Sequence, residues 1–255
     1  MAEENANTSA LHCVDEPVLV GRGPELARFN KFLADGQPIL VVITGGPGVG
    51  KTSLLQAFRD QAAAAGWNTA PPAMSSEHIL VTPEMTEESF GNQVQALLAK
   101  PSNQSFIEKP HVKEPVKTAP AQQPLHAIVQ LLRARAPLLL SIDSFWPETT
   151  FADWFQNRFM SDLKRAGAPV VVVVAERPEG ATKFLSYFAD ETITLGPMDE
   201  QAIRQHFTII GEKISPPMQK DELNVYVEAA HERPELLGSL TRVLRLALPS
   251  ATQAT

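Results

Sequence analysis

Apolar and polar positions follow two different periods along this chain, and each period predicts one kind of element. Five segments have the length of strands, namely residues 38–44, 78–82, 137–143, 168–175 and 191–195, and the segments at 38–44, 137–143 and 168–175 are largely apolar. Strands that are apolar without interruption are typical of a parallel sheet that is covered on both faces. Between these runs apolar residues recur at helical spacing, so strands and helices alternate as in an α/β domain.

The pattern changes after Leu195, where three amphipathic helices follow one another and no further apolar strand occurs. We therefore predict an α/β domain succeeded by a small helical domain. A proline-rich stretch without periodicity interrupts the first domain and predicts a mobile loop. The predicted division is a flexible leader at 1–16, a nucleotide-binding domain at 17–196 with the loop at 100–124, a helical lid domain at 197–249 and a tail at 250–255.

Composition narrows the classes of function that remain. The 255 residues are 44% hydrophobic, and the formal net charge of −7 argues against an extended nucleic-acid surface. The lone cysteine, Cys13, forms no disulfide framework or metal cluster. The acidic, polar N-terminus is no signal peptide, and the run at 168–175 is too short to cross a bilayer. The expectation is a cytoplasmic protein without a membrane partner.

A glycine-rich loop follows the first apolar run. Residues 45–52, GGPGVGKT, fit the Walker A pattern G-x-x-x-x-G-K-[ST] between a predicted strand and a predicted helix. Glycines let backbone N–H groups wrap phosphates, Lys51 reaches the β- and γ-phosphates, and Thr52 offers its hydroxyl to Mg²⁺. The sequence thus predicts ATP/ADP and Mg²⁺ as cofactors. The predicted binding residues here are Gly46, Pro47, Gly48, Val49, Gly50, Lys51, Thr52 and Ser53.

A second acidic position ends the strand at 137–143. Asp143 is the expected carboxylate partner of Thr52 on the metal. The next residue is Ser144, at a position where fast P-loop ATPases with an extra strand commonly have a glutamate that activates water. Because serine is a poor general base at neutral pH, we expect slow ATP hydrolysis to ADP and phosphate. Glu148 and Glu176 are the nearest alternative bases. Arg177, after the next strand, is suited to contact the γ-phosphate, which gives Lys51, Asp143 and Arg177 as predicted catalytic residues.

Several motifs occur in an order that resembles the STAND branch of AAA+-related P-loop ATPases, which includes the NACHT and NB-ARC modules. VLVGRGPELARF (18–29) resembles the hhGRxxEl segment before the P-loop, and LLLSIDSFW (138–146) resembles the Walker B segment LLVLDDVW. VVAERP (173–178) is similar to the sensor-1 segment. ITLGPMDEQAIRQHF (193–207) and HERPELLGSL (231–240) resemble segments of the helical lid.

The resemblance implies a three-layer α/β/α sandwich, with a five-stranded parallel sheet of order 5-1-4-3-2 and a helical lid that closes over adenine. It also implies that Val20, Gly21 and Arg22 lie against the base and that Pro234 approaches the nucleotide from the lid. Members of this group are typically ATP/ADP switches, whose nucleotide state controls self-association or binding of an effector or sensor protein.

The leading hypothesis is accordingly an ATP/ADP switch with slow Mg²⁺-dependent turnover that forms nucleotide-dependent homo-oligomers or binds a partner. The alternative is a DNA-associated AAA+ regulator that forms ATP-dependent oligomers on DNA, and the net charge makes it the less favoured one. A small-molecule kinase and a non-catalytic interaction role also remain open. The candidate basic stripe for DNA is Arg133, Arg135, Lys164, Arg165, Arg242 and Arg245.

Overall fold

The structure, a computed structural model, describes residues 19–73, 75–99, 124–177, 185–214 and 216–246. The predicted leader, residues 100–123 of the predicted loop and the predicted tail lie outside these ranges.

Within the described residues, six parallel strands form one sheet. Neighbouring strands run in the order β6, β1, β5, β4, and both β2 and β3 pair with β4. The strand bounds are β1 Ile39–Thr44, β2 Asn68–Ala70, β3 Ile79–Leu80, β4 Leu138–Phe145, β5 Val170–Glu176 and β6 Glu191–Thr194.

The predicted count of five strands is therefore wrong, and the observed order differs from 5-1-4-3-2 through the additional strand β2. The five predicted strands, which are β1, β3, β4, β5 and β6, pair in the predicted order β6, β1, β5, β4, β3. The strand that the sequence pattern missed is β2, which pairs with Leu138–Leu140 of β4. Its sequence, Asn-Thr-Ala, contains no apolar run, and only Ala70 is fully buried. Pairing of β2 depends on the backbone of β4 rather than on side-chain pattern, which explains why periodicity gave no sign of it.

Helices connect successive strands, and three further helices that the structure describes come after the last strand along the chain. The helix bounds are α1 Gly23–Asp35, α2 Lys51–Ala64, α3 Glu87–Ala99, α4 Pro124–Ala134, α5 Thr150–Trp154, α6 Met160–Ala166, α7 Glu200–Gly211, α8 Lys220–Glu232 and α9 Leu237–Leu246. A π-helical turn, Phe155–Phe159, joins α5 to α6, and 3₁₀ turns lie at Leu185–Tyr187 and Pro234–Leu236.

The chain divides into two compact units. The sheet unit comprises residues 25–45 and 58–194, and the loop unit comprises the described residues within 1–24, 46–57 and 195–255. The sheet unit is built on apolar side chains, since every residue of β5 is buried and Phe90 of α3 packs among four aromatic rings. Three of these contacts, with Trp154, Phe155 and Phe159, are edge-to-face at 6.1, 5.9 and 5.5 Å between ring centroids.

The loop unit has a smaller core between α7, α8 and α9. Ile203, Phe207 and Val227 are buried in it with residues of α9. Local signals fix where these helices begin: the Asp199 carboxylate accepts a hydrogen bond from the Ala202 N–H at 2.7 Å, and Gln219 with Glu222 forms a capping box. The loop before α2 belongs to this unit with them.

Candidate functional site

The loop between β1 and α2 has a backbone that depends on glycine. Gly45, Gly48 and Gly50 have φ angles of 147°, 75° and 96°, a region that L-residues with a side chain rarely adopt. Helix α2 then begins at Lys51, and the Leu54 N–H donates to the Gly50 carbonyl at 2.9 Å. The N–H groups of a helix's first turn lack carbonyl partners within the helix, so this loop ends in an anion-binding helix terminus.

The Lys51 ammonium is hydrogen-bonded to the backbone of the glycine-rich loop. Lys51 Nζ donates to the Gly46 carbonyl at 2.8 Å, so the ammonium is held at the loop. Thr52, next along the first turn of α2, is exposed, whereas Val49 is buried. A fixed cation beside glycine backbone and a helix N-terminus is the combination that binds phosphate groups.

At Gly48 the loop touches the turn before α9. A Cβ built on Gly48 would lie 2.4 Å from the Cα of Glu235 and 2.7 Å from the Pro234 carbonyl oxygen. No residue other than glycine fits there without moving backbone. The loop therefore packs against Pro234–Glu235, and Pro234 lies beside the predicted phosphate-binding residues.

The segment before α1 is joined to the same loop. Arg22, only 8% exposed, donates through Nη2 to the Val49 carbonyl and to the Gly196 carbonyl, both at 2.8 Å. A Cβ on Gly21, whose φ is 72°, would lie 3.1 Å from the Cβ of Ala202 in α7. Val20 is buried as well. The loop unit thus brings together Val20–Arg22, the glycine-rich loop and Pro234, while their role toward a base stays a prediction.

The sheet unit holds Asp143 near the carboxyl end of β4, where it is 8% exposed. One carboxylate oxygen, Oδ1, accepts the Ser144 N–H at 2.7 Å, and the other, Oδ2, lies 4.0 Å from His78 Nδ1. Ser144 has a φ of 55°, which is unusual for a residue with a side chain. Asp143 is therefore a well-fixed oxygen donor rather than a mobile surface carboxylate.

A buried arginine compensates this carboxylate. Arg59 of α2 is fully buried, and its Nη1 donates to the Glu77 carbonyl at 3.0 Å. Burial lowers the pKa of Arg59, while the charges of Asp60 and Asp143 oppose that shift. The pKa of His78 is lowered, first by burial and then by Arg59, with Asp143 again opposing. Asp143 thus lies in the field of a buried cation.

Sequence reasoning missed Arg59 and His78. The signal that could have found Arg59 is its place on the apolar stripe of α2, where it follows Phe58 and precedes Ala62 by one turn, both of them buried. An arginine on such a stripe requires a charged or polar partner inside the protein. His78 carries no comparable signal, because its position next to Asp143 results from the pairing of β3 with β4.

Arg177 and Glu176 follow at the end of β5, the neighbour of β4. The Arg177 N–H donates to the Phe145 carbonyl at 3.0 Å, and its guanidinium lies 5.7 Å from the centre of the Trp146 ring. Asp143 and Arg177 therefore lie at the ends of adjacent strands. Glu176 is fully buried and accepts the Leu185 N–H, and burial raises its pKa. A carboxyl group enclosed in this way has no access to a water nucleophile.

The oxygen donors fit Mg²⁺ better than a metal that needs a complete protein cage. Among the described residues, no group of three or more His, Cys, Asp or Glu is arranged around a common point. Magnesium typically takes one or two protein oxygens and completes its shell with phosphate and water, so it does not require such a cluster of protein ligands. The helices that the structure describes are all too short or too polar to cross a membrane.

Comparison with known families gives one match, in which residues 18–176 match the model of the AAA ATPase domain. This range includes the glycine-rich loop, Asp143 and the end of β5. No curated protein matches the chain significantly. The narrower resemblance to the STAND branch stays a prediction.

Solved structures share the fold at low sequence identity. Drosophila ORC bound to DNA is 14% identical with a TM-score of 0.57, and covers 91% of this chain and 61% of its own. The Aeropyrum pernix ORC1 protein in complex with DNA is 15% identical with a TM-score of 0.58, and the match covers 93% of this chain and 63% of the ORC1 chain. The Thermotoga maritima RuvB Holliday junction branch migration motor is 14% identical with a TM-score of 0.54, and the match covers 88% of this chain and 61% of the RuvB chain. The chain thus spans about three fifths of these proteins, and the likeness establishes a parallel α/β fold of the AAA+ type.

Proposed function

This chain belongs to the AAA ATPase domain family, and on that premise we propose that it is an ATP/ADP switch. In this proposal the bound nucleotide controls helices α7–α9, which form the lid, and through them self-association or binding of a protein partner. The observation that carries the proposal is the construction of the loop unit. There the glycine-rich loop contacts Pro234–Glu235 through Gly48 and is joined to Gly196, ahead of α7, through Arg22.

Nucleotide binding assigns a task to each group at the loop. Gly46, Gly48, Val49, Gly50 and Ser53 present backbone N–H groups and the helix terminus, and Pro47, which has no N–H, restricts the conformation of the loop. Lys51 adds a charge-assisted hydrogen bond to phosphate. Thr52 and Asp143 are the proposed Mg²⁺ ligands, and the ion supplies neutralisation of phosphate charge when bound. A loop that contacts the lid helices on one side and phosphate on the other is suited to report nucleotide state to those helices.

Slow hydrolysis follows from what surrounds Asp143. Ser144 cannot take a proton from water at neutral pH, and Glu176 is buried and already accepts a backbone N–H. Arg177 is proposed to contact the γ-phosphate, a role that its exposed position at the end of β5 permits. Turnover limited in this way suits a switch that persists in one nucleotide state.

The test is a binding and assembly experiment with a matched variant pair. Lys51→Ala removes the phosphate-binding ammonium, whereas Lys31→Ala removes an exposed lysine of α1. We expect Lys51→Ala to weaken ATP and ADP binding by roughly 10- to 100-fold, as loss of a charged hydrogen bond implies, and Lys31→Ala to leave it unchanged. Isothermal titration calorimetry measures affinity, and light scattering after size exclusion measures mass with ATP or ADP.

Two outcomes would count against the proposal in different ways. Absence of ATP and ADP binding by the wild-type protein would refute nucleotide binding itself. Binding of both nucleotides with the same mass, the same partners and the same protection of α7–α9 from hydrogen exchange would refute the switch. Rapid, sustained phosphate release would indicate a motor instead.

A DNA-associated AAA+ regulator is the second candidate. Two of the structures that share this fold are complexes with DNA, so the comparisons do not support the expectation that DNA is a less favoured partner than nucleotide or protein. The candidate basic stripe is partly neutralised, since Lys164 pairs with Asp190 at 2.6 Å and Arg165 with Asp162 at 2.7 Å. Fluorescence anisotropy of labelled duplex DNA at several salt concentrations decides the matter. ATP-dependent binding that weakens steeply with salt would favour this candidate, and absence of binding at low salt would remove it.

A further inference from the structure

We propose that Arg22 is a positioning residue, which sets the orientation of the peptide between Val49 and Gly50 and ties that orientation to Gly196. The inference rests on the proposed nucleotide binding and deepens it. The resemblance to known ATPases implied that Arg22 lies against the base. In the structure its guanidinium donates to two backbone carbonyls, those of Val49 and Gly196.

The first step concerns the geometry of one peptide. The carbonyl and the N–H of a trans peptide lie in one plane and point in opposite directions. Because Arg22 Nη2 holds the Val49 carbonyl at 2.8 Å, the Gly50 N–H is directed away from the guanidinium. Gly50 has a φ of 96°, so its backbone has the freedom to flip in the absence of that hydrogen bond. Arg22 thereby selects the orientation in which the Gly50 N–H is available to an anion.

The second step concerns the shared nitrogen. Nη2 carries two hydrogens in the plane of the guanidinium, and both carbonyls, Val49 and Gly196, accept from it at 2.8 Å. A planar fork fixes the two acceptors relative to each other, unlike a rotating ammonium. Movement of Gly196, three residues before the N-cap Asp199 of α7, must therefore disturb the hydrogen bond to Val49.

The third step concerns the strength of this connection. Arg22 is 8% exposed, so water does not readily replace either carbonyl. Thermodynamic coupling is reciprocal, so a phosphate that favours one orientation of the Val49–Gly50 peptide also favours one position of Gly196. Arg22 is thus the connection through which phosphate binding at the loop reaches the start of α7.

The experiment compares ligands that share phosphates and differ in the base. Arg22→Met keeps an unbranched stem of similar length and removes the donors, and Arg22→Lys keeps the charge without the fork. Arg28→Met is the matched control, an exposed arginine of α1 that pairs with Glu191. Affinities for ATP, GTP and inorganic tripolyphosphate are measured by displacement of a fluorescent ATP analogue. Thermal unfolding of the nucleotide-free variants shows whether they fold.

We expect Arg22→Met to weaken ATP and tripolyphosphate by the same factor, about 10- to 100-fold, without changing the ratio of ATP to GTP affinity. Arg22→Lys is expected to fall between Arg22→Met and wild type, and Arg28→Met to match wild type. At saturating ATP, Arg22→Met should lose the change in hydrogen exchange that ATP causes in α7 of the wild-type protein. If Arg22→Met does not fold, the same comparison is made with Arg22→Lys.

Three results would overturn the inference. Loss of ATP affinity without loss of tripolyphosphate affinity would identify Arg22 as a base contact, and so would a changed preference between ATP and GTP. Unchanged affinity and hydrogen exchange in the variants would show that Arg22 positions nothing. Failure of tripolyphosphate to displace the analogue from wild type would show that the loop does not bind phosphate independently of a base. Absence of ATP binding by wild type would instead refute the proposed function.

Discussion

The sheet unit and the loop unit each have an apolar core, but the contacts that define the candidate site within the loop unit differ in kind from those that fill the sheet unit. In the sheet unit all seven residues of β5 are buried, and Phe90 contacts four other aromatic side chains. In the loop unit the contacts that define the candidate site are made by backbone, with Arg22 on two carbonyls and Gly48 against Pro234–Glu235. Apolar burial is non-directional and tolerates small shifts, whereas a carbonyl hydrogen bond or a glycine contact requires one geometry.

The two units also differ in how they treat charge. Asp143 in the sheet unit lies in the field of the buried Arg59, whereas the lowered pKa of His78 favours its neutral form. Arg22 in the loop unit donates to two backbone carbonyls and so orients their peptide dipoles. Charge in the first unit fixes a carboxylate, and charge in the second fixes the direction of a peptide.

Removal of an aromatic side chain from the sheet unit has the largest expected effect. Phe90→Ala leaves a cavity among Phe151, Trp154, Phe155 and Phe159, and we expect it to lower the free energy of unfolding by about 3–5 kcal/mol. The control Phe188→Ala removes a ring that is 54% exposed and should cost less than about 0.5 kcal/mol. Urea unfolding followed by circular dichroism measures both. Equal losses for the two variants would contradict the description of this core.

A pair of glycines tests the contrast between close contact and strain alone. Gly48 and Gly66 have similar φ angles of 75° and 81°, but a Cβ on Gly48 would meet Glu235 and a Cβ on Gly66 would meet nothing within 4 Å. Gly66→Ala should therefore cost only about 1–2 kcal/mol of backbone strain and leave ATP binding unchanged.

Gly48→Ala should add displacement of the loop from Pro234–Glu235 to the same strain, and so weaken ATP binding by roughly 10-fold or more. Calorimetric titration with ATP, combined with thermal unfolding, separates the two contributions. If both variants lose equal stability and retain equal ATP affinity, the contact at Gly48 has no functional weight.

The smallest expected effect concerns the buried carboxyl of Glu176. Burial raises its pKa above 4.5 in the folded protein, so the folded state binds more protons than the unfolded state above that pH. The contribution of Glu176 to stability is therefore fully present below pH 4.5 and is lost as pH rises through the folded pKa. Glu176→Gln keeps an oxygen that accepts the Leu185 N–H and removes the ionisation.

The stability of Glu176→Gln relative to wild type should consequently rise between about pH 4 and neutrality. Urea unfolding of both proteins at a series of pH values measures the difference, with Glu232→Gln, on the exposed side of α8, as the control. Parallel stability curves for Glu176→Gln and wild type would show that this carboxyl is not perturbed by burial.

Predictions from the sequence succeeded where a pattern extends over several residues. The apolar runs at 38–44, 137–143 and 168–175 correspond to β1, β4 and β5, because strands buried on both faces require continuous apolar sequence. The same reasoning missed β2, whose three residues carry no such pattern. Lengths also shifted, since the strand expected at 78–82 is only Ile79–Leu80.

In the candidate site, too, local sequence pattern predicts some features, whereas others depend on residues that are distant along the chain. The Walker A pattern predicts a phosphate-binding loop because its spacing is local, and the position at a strand end predicts Asp143 as a metal ligand; both roles stay predictions. Arg59 and His78 escaped notice since their relation to Asp143 depends on residues distant in sequence. The contacts of Arg22 with Gly196 and of Gly48 with Glu235 span more than 170 residues and more than 180 residues, and local pattern carries no information on such pairs.

The sequence by itself determined a parallel α/β domain of the AAA type with a glycine-rich loop between strand and helix, because hydrophobic period and motif spacing are properties of neighbouring residues. Only the tertiary structure decided that Arg22 faces carbonyls, that Glu176 is enclosed and that a buried arginine faces Asp143. The physical reason is that orientation and burial of a polar group depend on every element packed around it, and packing brings together residues that lie far apart along the chain.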